Sequence, residues 1–256
     1  MKSITCLLLV MPLSLNAGEI IQNTTASETT TSSSDWEISS AFYAPLMGLE
    51  GSVGLAGIGP FDVDSSFGDV LDVMDAGLSG AVELRKGPWS FQLDAIWLKL
   101  SDSTNPLPGT TFSFEQQQLN GTLFAGYEFY RTEATSVRFL TGATLNHLEL
   151  DLNLVPPLPL PPVSRSGSQT WIDPFVGISV RHQLDDRWTV FADGLYGGFG
   201  ISSEEYWQAL AGFGYRLTEN TSLALAYRVI AVDYQQGGFV YDTETSGPNL
   251  GLIVRF

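Results

Sequence analysis

"WSFQLDAIW" (residues 89–97) decides the fold, because apolar and polar side chains alternate along it. One parity is apolar throughout: Trp89, Phe91, Leu93, Ala95 and Trp97. The opposite parity carries Gln92 and Asp94 at its centre. Successive side chains of a β-strand point to opposite faces of the sheet, so a period of two is typical of a strand. The stretch therefore predicts a strand with one apolar side and one polar, charged side.

The same alternation recurs and predicts ten long strands. They cover residues 35–46, 76–86, 88–101, 112–130, 136–154, 168–184, 187–200, 204–218, 221–234 and 241–256. Tight turns alternate with longer loops that are richer in Gly, Pro and acidic residues, which is typical of a transmembrane barrel. We therefore expect an all-β fold, a transmembrane antiparallel up-and-down β-barrel of about ten strands, with eight or twelve as alternatives. The last strand must then pair with the first to remove the open edges.

Composition supports this fold and excludes several functions. Of the 256 residues, 16% are charged and 12% are aromatic, and the net charge is −16. Such an acidic chain is a poor match for nucleic acid, which selects basic surfaces, so we expect no nucleic-acid partner. Few charges with many Gly and aromatic residues favour an all-β protein with many turns.

The first 34 residues are predicted to stand apart from the barrel. Residues 1–17 are typical of a signal peptide, with Lys2 before a short apolar run and a cleavage site after Ala17. An anchor helix is the alternative, but the run is shorter than the roughly 20 residues that span a bilayer. Residues 18–34 are a Thr/Ser-rich stretch that we interpret as a flexible leader, and 35–256 as the barrel. Cleavage would remove Cys6, the only cysteine, which excludes disulfides and thiolate chemistry from the mature chain.

The balance of charge predicts which face lies inward. The polar face carries six acids and six arginines: Glu37, Glu83, Asp94, Glu128, Asp173, Asp193, Arg85, Arg138, Arg181, Arg216, Arg228 and Arg255. A water-exposed face of this acidic chain would not require such a balance. A closed interior would, because an unpaired buried charge costs several kcal/mol. We call these twelve residues the charge network and predict that they line the lumen, with the apolar face toward lipid. The alternative is a soluble calyx with the two faces reversed.

Three stretches resemble repeated elements of bacterial outer-membrane β-barrel proteins of the small OmpA and opacity-protein class. They are "WIDPFVGISV" (171–180), "WTVFADGLYGGFG" (188–200) and "LAYRVIAVDY" (225–234). The terminal Phe256 resembles the assembly signal of such proteins. The resemblance implies a place in the outer membrane of the Gram-negative cell envelope, with outer-membrane lipid, lipopolysaccharide and the barrel-assembly machinery as partners. We expect a monomer without the peptidoglycan-binding domain of OmpA-type proteins.

The first long loop, residues 47–75, allows two interpretations. Its five aspartates and a possible helix at 67–75 suggest a plug in the barrel mouth or a divalent-cation site. Alternatively, the segment forms an extra hairpin with a capped helical turn, which would raise the strand count to twelve. The spacing of the acids does not match an EF-hand loop.

No residue pattern in the chain indicates catalysis, a cofactor or a metal. The only histidines, His147 and His182, share the parity of the apolar face, and no nucleophile elbow, HExxH or phosphate loop is present. We therefore expect no enzyme, no catalytic, cofactor-binding or metal-binding residues and no cofactor. The favoured function is a structural or surface-interaction barrel whose lumen is plugged by paired charges. A narrow, porin-like pore for small solutes and an outer-membrane hydrolase are the alternatives.

Overall fold

The computed structural model describes residues 36–55, 58–157 and 159–256. The predicted signal peptide (1–17) and leader (18–34) lie outside the described residues. The elements are β1 (Glu37–Pro45), β2 (Gly48–Leu55), β3 (Ile58–Ser65), α1 (Phe67–Asp72), β4 (Met74–Lys86), β5 (Trp89–Leu107), β6 (Thr110–Arg131), β7 (Thr135–Val155), β8 (Val163–Gln183), β9 (Trp188–Gly197), β10 (Glu205–Arg216), β11 (Thr221–Gln236) and β12 (Phe239–Arg255). Within these ranges no helix is long and apolar enough to cross a membrane.

Ten strands form a closed antiparallel barrel, in the order β1, β4 and then β5 to β12. The barrel closes where β1 pairs with β12, from Ser39 opposite Arg255 to Pro45 opposite Asn249. Closure leaves no unpaired edge in this part of the sheet. The predicted ten-strand barrel and the pairing of its last strand with its first are therefore confirmed.

The other two strands form a hairpin that extends one side of the barrel. The longer β12 continues past β1 and pairs with β2, from Ser246 opposite Gly48 to Val240 opposite Gly54, and β2 pairs with β3. Gly247 lies where β12 passes from β1 to β2. Its φ is +155°, and a Cβ there would lie 2.5 Å from the Leu46 carbonyl oxygen, so this close approach requires glycine.

The helix α1 follows the hairpin and packs into the mouth of the barrel. The Ser66 hydroxyl accepts a hydrogen bond from the backbone N–H of Asp69, whose carboxylate accepts one from the backbone of Ser66, which forms a capping box. Val70 and Val73 pack with Leu98, Leu100, Phe114 and Leu150 in an apolar cluster formed by α1 and β5 to β7. The segment 47–75 is thus an extra hairpin with a capped helical turn, and the helix is shorter than the predicted 67–75.

The two faces of the barrel point as the alternation predicts. Large apolar side chains that share the outward parity are exposed, among them Leu93 at 57%, Leu123 at 60% and Phe213 at 54%. We call this outward zone the apolar belt. Side chains of the opposite parity are buried within the barrel. The short turns and the described chain ends lie at one end, the turn end, and the longer connections lie at the other, the loop end.

Several strands extend beyond their predicted limits toward the loop end. The loops predicted at 101–111 and 155–167 are much shorter, because β5 continues to Leu107, β6 begins at Thr110 and β8 begins at Val163. These extensions have sequences such as "SDSTN" (101–105), in which both parities are polar. Beyond the apolar belt the outward face is polar as well, so the alternation that reveals a strand is lost there.

Candidate functional site

The lumen holds most of the charge network. Eight of the twelve side chains are buried: Glu83, Arg85, Asp94, Arg138, Asp173, Arg181, Asp193 and Arg228. Glu128, Arg216 and Arg255 are half-buried at the turn end, and Glu37 is exposed there. Arg255 and Glu37 line a small pocket at the turn end together with Glu83 and Arg85. The strands thus bring one zone of opposite charges together inside the barrel.

Ion pairs dominate the part of the lumen near the turn end. Arg138 Nη1 lies 3.3 Å from Glu83 Oε1, and Arg85 Nε lies 3.8 Å from the same oxygen. Arg181 Nη1 lies 3.5 Å from Asp193 Oδ1. The charged residues of these ion pairs lie on β4, β7, β8 and β9. They reach one another because their side chains all project into the lumen.

Neutral donors hold the acids farther from the turn end. The Tyr43 hydroxyl donates to Asp94, at 2.8 Å from Oδ1 and 3.0 Å from Oδ2. Asp173 accepts from the backbone N–H and the hydroxyl of Ser203, at 2.9 and 2.8 Å. Ser203 belongs to the β9–β10 connection, so Asp173 ties that loop to the lumen wall. Direct ion pairs therefore neutralise only part of the buried charge in the lumen.

Arg228 occupies an unusual position in the middle of the lumen. Its side chain is fully buried, yet none of its three guanidinium nitrogens has a hydrogen-bond partner among the described residues. Asp94 and Asp193 lie within electrostatic range of it. Buried donors without partners are rare in native proteins and normally mark a place where water or another small acceptor is held.

A cluster of aromatic rings lies in the lumen toward the loop end, and the sequence pattern did not predict it. Trp171 stacks on Tyr234, with ring centroids 4.5 Å apart and planes 14° apart, and packs against Phe239 and Tyr241 at 5.9 and 5.8 Å. We call these four residues, all at most 4% exposed, the aromatic cluster. A signal existed, because Trp171 shares its parity with Asp173, and Tyr234 with Arg228. Aromatic residues on the charged parity therefore belong to the lumen.

Both histidines lie on the outer surface. His147 Nδ1 lies 2.7 Å from Thr170 Oγ1 and its Nε2 lies 3.3 Å from Glu149 Oε1, whereas His182 Nδ1 lies 2.8 Å from Thr135 Oγ1. Neither ring faces the lumen. In the part of the chain that the structure describes, no group of three or more potential ligands could hold a metal ion.

Acidic residues from five adjacent strands form a band on the outer face between the apolar belt and the loop end. We call it the acidic band: Glu50, Asp62, Asp64, Glu205, Asp233, Asp242 and Glu244. Several of them face each other directly across neighbouring strands, as Asp233 with Asp242, Glu244 with Glu50, and Glu50 with Asp64. Residues 48–65 and 230–246 contain no lysine or arginine. Like charges directly opposite each other destabilise a sheet, so the band favours a cationic partner.

No protein-family model matches the sequence, and no curated protein is significantly similar to it. Solved structures are similar in fold. The crystal structure of the outer membrane protease OmpT from Escherichia coli gives a TM-score of 0.54 at 11% identity, over 90% of this chain and 100% of that one. The crystal structure of Neisserial surface protein A gives a TM-score of 0.34 at 13% identity, over 86% of this chain and 97% of that one. The crystal structure of the attachment invasion locus protein Ail of Yersinia pestis gives a TM-score of 0.35 at 13% identity, over 86% of this chain and 99% of that one.

Proposed function

We propose that this chain, which has the fold of a bacterial outer-membrane β-barrel, is a non-enzymatic surface protein of the Gram-negative outer membrane. One observation carries the proposal: the acidic band lies directly beyond the apolar belt. If the belt lies in the hydrocarbon, the turn end faces the periplasm, and the band lies at the level of the anionic groups of lipopolysaccharide. Export by the predicted signal peptide and insertion by the barrel-assembly machinery, guided by Phe256, belong to the same proposal.

The acidic band would bind lipopolysaccharide through divalent cations. Carboxylate and phosphate oxygens are the ligands that Ca²⁺ and Mg²⁺ prefer. The protein alone offers no group of three ligands in the described residues, so each cation would share its coordination between band carboxylates and lipid phosphates. Glu50, Asp64 and Glu244 repel one another across β12, β2 and β3. A bound cation would relieve this repulsion, which favours such bridges. The protein would act as a monomer embedded in its lipid.

The filled lumen supports a structural role and weighs against a pore. Large side chains such as Phe175, Arg228 and Tyr241 are at most 1% exposed inside the barrel. Ten strands enclose little space. The interior of an eight-stranded barrel is already filled by side chains, and wide aqueous channels belong to barrels of about 16–18 strands. A narrow pore for small solutes stays the alternative that single-channel recording would reveal.

The outward position of both histidines weighs against a hydrolase. A general base must reach its substrate and nucleophile within hydrogen-bond distance in a shaped cavity. His147 and His182 contact threonines on the outer wall. Likeness in fold to a protease does not carry its activity to this chain, because fold alone does not determine function.

Lipopolysaccharide binding by the reconstituted barrel tests the proposal. The triple variant Glu50→Gln, Asp64→Asn, Glu244→Gln removes the centre of the acidic band. We expect it to weaken Mg²⁺-dependent binding at least about tenfold, roughly 1.4 kcal/mol. Chelating Mg²⁺ should reduce binding of the unaltered protein to the same level.

The matched control removes the same charge at the turn end, with Glu133→Gln, Asp186→Asn and Glu219→Gln. These side chains lie in the short turns, far from the acidic band, and we expect the control to bind like the unaltered protein. Binding that ignores both Mg²⁺ and the band would contradict the proposed surface role.

A further inference from the structure

Strand β8 has an unpaired edge where it continues past β9 toward the loop end. β9 ends at Gly197, opposite Phe175, and one further backbone hydrogen bond joins the Gly198 N–H to the Pro174 carbonyl. On its other side β8 stays paired with β7 up to the loop end. Among the described residues, 163–172 therefore have no backbone partner on the β9 side. We call residues 163–172 the open edge.

Every second residue of the open edge directs its backbone away from β7. Pro174 directs its carbonyl toward β9, and the pairing of β8 with β7 has no bulge, so residues of the same parity direct their N–H and C=O groups to that side. They include Ser164, Ser166, Ser168 and Thr170, whose side chains are exposed. Such a row of free, accessible backbone groups is a template for pairing with another strand.

Two other strands have unpaired edges near the loop end, and both are protected. β5 continues past its pairing with β4 and carries Asp102 and Pro106 there. β3 pairs only with β2 and carries Pro60 and Asp62. Charge and proline discourage the addition of a strand. The open edge of β8 contains no proline and no acid, and Arg165 is its only charged residue, so it is the edge that the sequence leaves available.

The upper part of the open edge projects beyond the neighbouring hairpin. Gln169 Nε2 donates to the Tyr234 hydroxyl at 2.5 Å, and that hydroxyl donates to Gln236 Oε1 at 2.8 Å. Gln236 is the last residue of β11, so the β11–β12 turn lies beside Gln169. Residues 164–168 continue from there toward the loop end, where a second strand has room beside them.

The chemistry of the open edge and its surroundings matches a copy of itself. Residues 152–172 contain a single charged residue, Arg165, although the chain has a net charge of −16, so a neutral partner strand suits them. An exposed apolar side chain lies near each end: Leu160, 59% exposed, beyond the upper end, and Ile201, 70% exposed, in the β9–β10 connection next to Pro174. In an antiparallel pair of identical edges, the Leu160 end of each copy approaches the Ile201 end of the other, as a twofold contact requires.

We propose that the open edge pairs with the open edge of a second copy that lies in an opposing membrane. The two strands run antiparallel about a twofold axis at Ser166, so that Ser164 of each copy faces Ser168 of the other. This axis is perpendicular to the sheet and reverses the barrel axis together with the strand, so the two barrels meet loop end to loop end. The proposal rests on the outer-membrane placement of the proposed function and adds a surface partner, while each copy stays single in its own membrane.

Clustering of protein-bearing vesicles tests this pairing. Phosphatidylcholine vesicles with the barrel inserted loop end outward, without lipopolysaccharide and with a chelator, should cluster and scatter light as the protein density rises. Ser166→Pro removes the N–H at the twofold axis and leaves the pairing with β7 intact, because that amide faces away from β7. We expect it to slow clustering at least about tenfold, since an edge proline blocks strand addition.

The matched control makes the same substitution on the protected edge of β5. The Ser101 N–H donates to the Val73 carbonyl, so Ser103, two residues on, also directs its amide away from β6. Ser103→Pro should therefore leave the pairing of β5 with β6 intact, and its vesicles should cluster like those of the unaltered protein.

Cross-linking between vesicles gives a second readout that does not depend on the proline variant. In a Cys6→Ser background, Ser166→Cys is placed in two vesicle populations that carry different affinity tags. A short bifunctional thiol reagent should yield a product that carries both tags. Ser103→Cys, on the edge of β5, should yield little of it.

Failure of the pairing can be distinguished from failure of the proposed function. Vesicles that do not cluster would overturn the pairing, as would equal clustering with Ser166→Pro, shown by circular dichroism and heat-dependent gel migration to be a folded barrel. Equal cross-linking of Ser166→Cys and Ser103→Cys would overturn it as well. None of these results affects lipopolysaccharide binding, because the vesicles contain no lipopolysaccharide. Loss of the Mg²⁺-dependent binding with clustering intact would overturn only the proposed function.

Discussion

Glu83 is the residue on which the charges near the turn end converge. It is 4% exposed and faces two arginines, Arg138 at 3.3 Å and Arg85 at 3.8 Å. Removing one partner of a buried pair leaves an uncompensated charge, which typically costs 3–5 kcal/mol. We expect Glu83→Leu to lower the free energy of unfolding by about 3 kcal/mol, measured by urea titration in lipid vesicles.

The double variant Glu83→Leu, Arg138→Met separates charge loss from packing. Because the apolar pair leaves only Arg85 to be satisfied, the double variant should recover at least half of the lost stability. Glu133→Leu, in an exposed turn, makes the same substitution without a buried partner and should have little effect. Additive losses in the double variant would show that the pair is not coupled.

We expect Phe256 to contribute to assembly more than to stability. Its side chain is 77% exposed, and its backbone N–H donates to the Ile38 carbonyl at 2.9 Å. Phe256→Ala should therefore reduce the amount of inserted barrel in cells several-fold, while the purified, refolded protein keeps its melting temperature. Normal insertion, or a clear loss of melting temperature, would contradict the role in assembly.

At the scale of elements, α1 depends on its cap. The six-residue helix is too short to be stable alone, so the hydrogen bonds of Ser66 with Asp69 matter. Ser66→Ala should cost about 1 kcal/mol of local stability and speed hydrogen exchange at the Val70 amide, whose N–H donates to the Ser66 carbonyl. Exchange in β9 to β11 should not change, and a uniform increase would indicate global loosening instead.

The same cap predicts a pH dependence. Hydrogen bonds from the hydroxyl and the backbone N–H of Ser66 hold the pKa of Asp69 below its ordinary value. A carboxyl group with a lowered pKa in the folded state stabilises the fold above its unfolded-state pKa, and this contribution is lost as the pH falls through the folded value. The protection of the Val70 amide, which is its exchange rate corrected for the intrinsic rate at each pH, should therefore fall in acid, and Asp69→Asn should remove most of that dependence.

The sequence predicted the barrel strands well where one face is exposed and apolar and the other lines the lumen. In "LALAYRV" (223–229) the two environments differ strongly, so every second residue reports its side. Near the loop end the two faces of "GLEGSVGL" (48–55) lack that contrast. The hairpin of β2 and β3 was therefore only one of two structures that the sequence allowed for this segment. Pro60 and the aspartates of β3 suit an edge strand, since proline and charge discourage further pairing.

At the scale of the whole molecule, parity located the charge network but could not assign its partners. The pairing of Glu83 with Arg138 joins β4 to β7 across the lumen, and such contacts depend on the stagger of the closed barrel, which no local pattern encodes. The aromatic cluster was missed for a related reason. In the sequence, Trp171 and Tyr234 are isolated aromatic residues on the polar parity of two separate strands. Only the closing of the barrel brings their rings together.

The central claim is that the apolar face meets lipid and the charged face lines the lumen. A nitroxide scan of residues 223–229 of β11 in lipid vesicles, in the Cys6→Ser background, tests it most directly. Collision with oxygen, which concentrates in the hydrocarbon, should be high at Leu223, Leu225, Tyr227 and Val229 and low at Ala224, Ala226 and Arg228. The opposite phase, or a high collision rate with a water-soluble relaxing agent at the first set, would contradict the account.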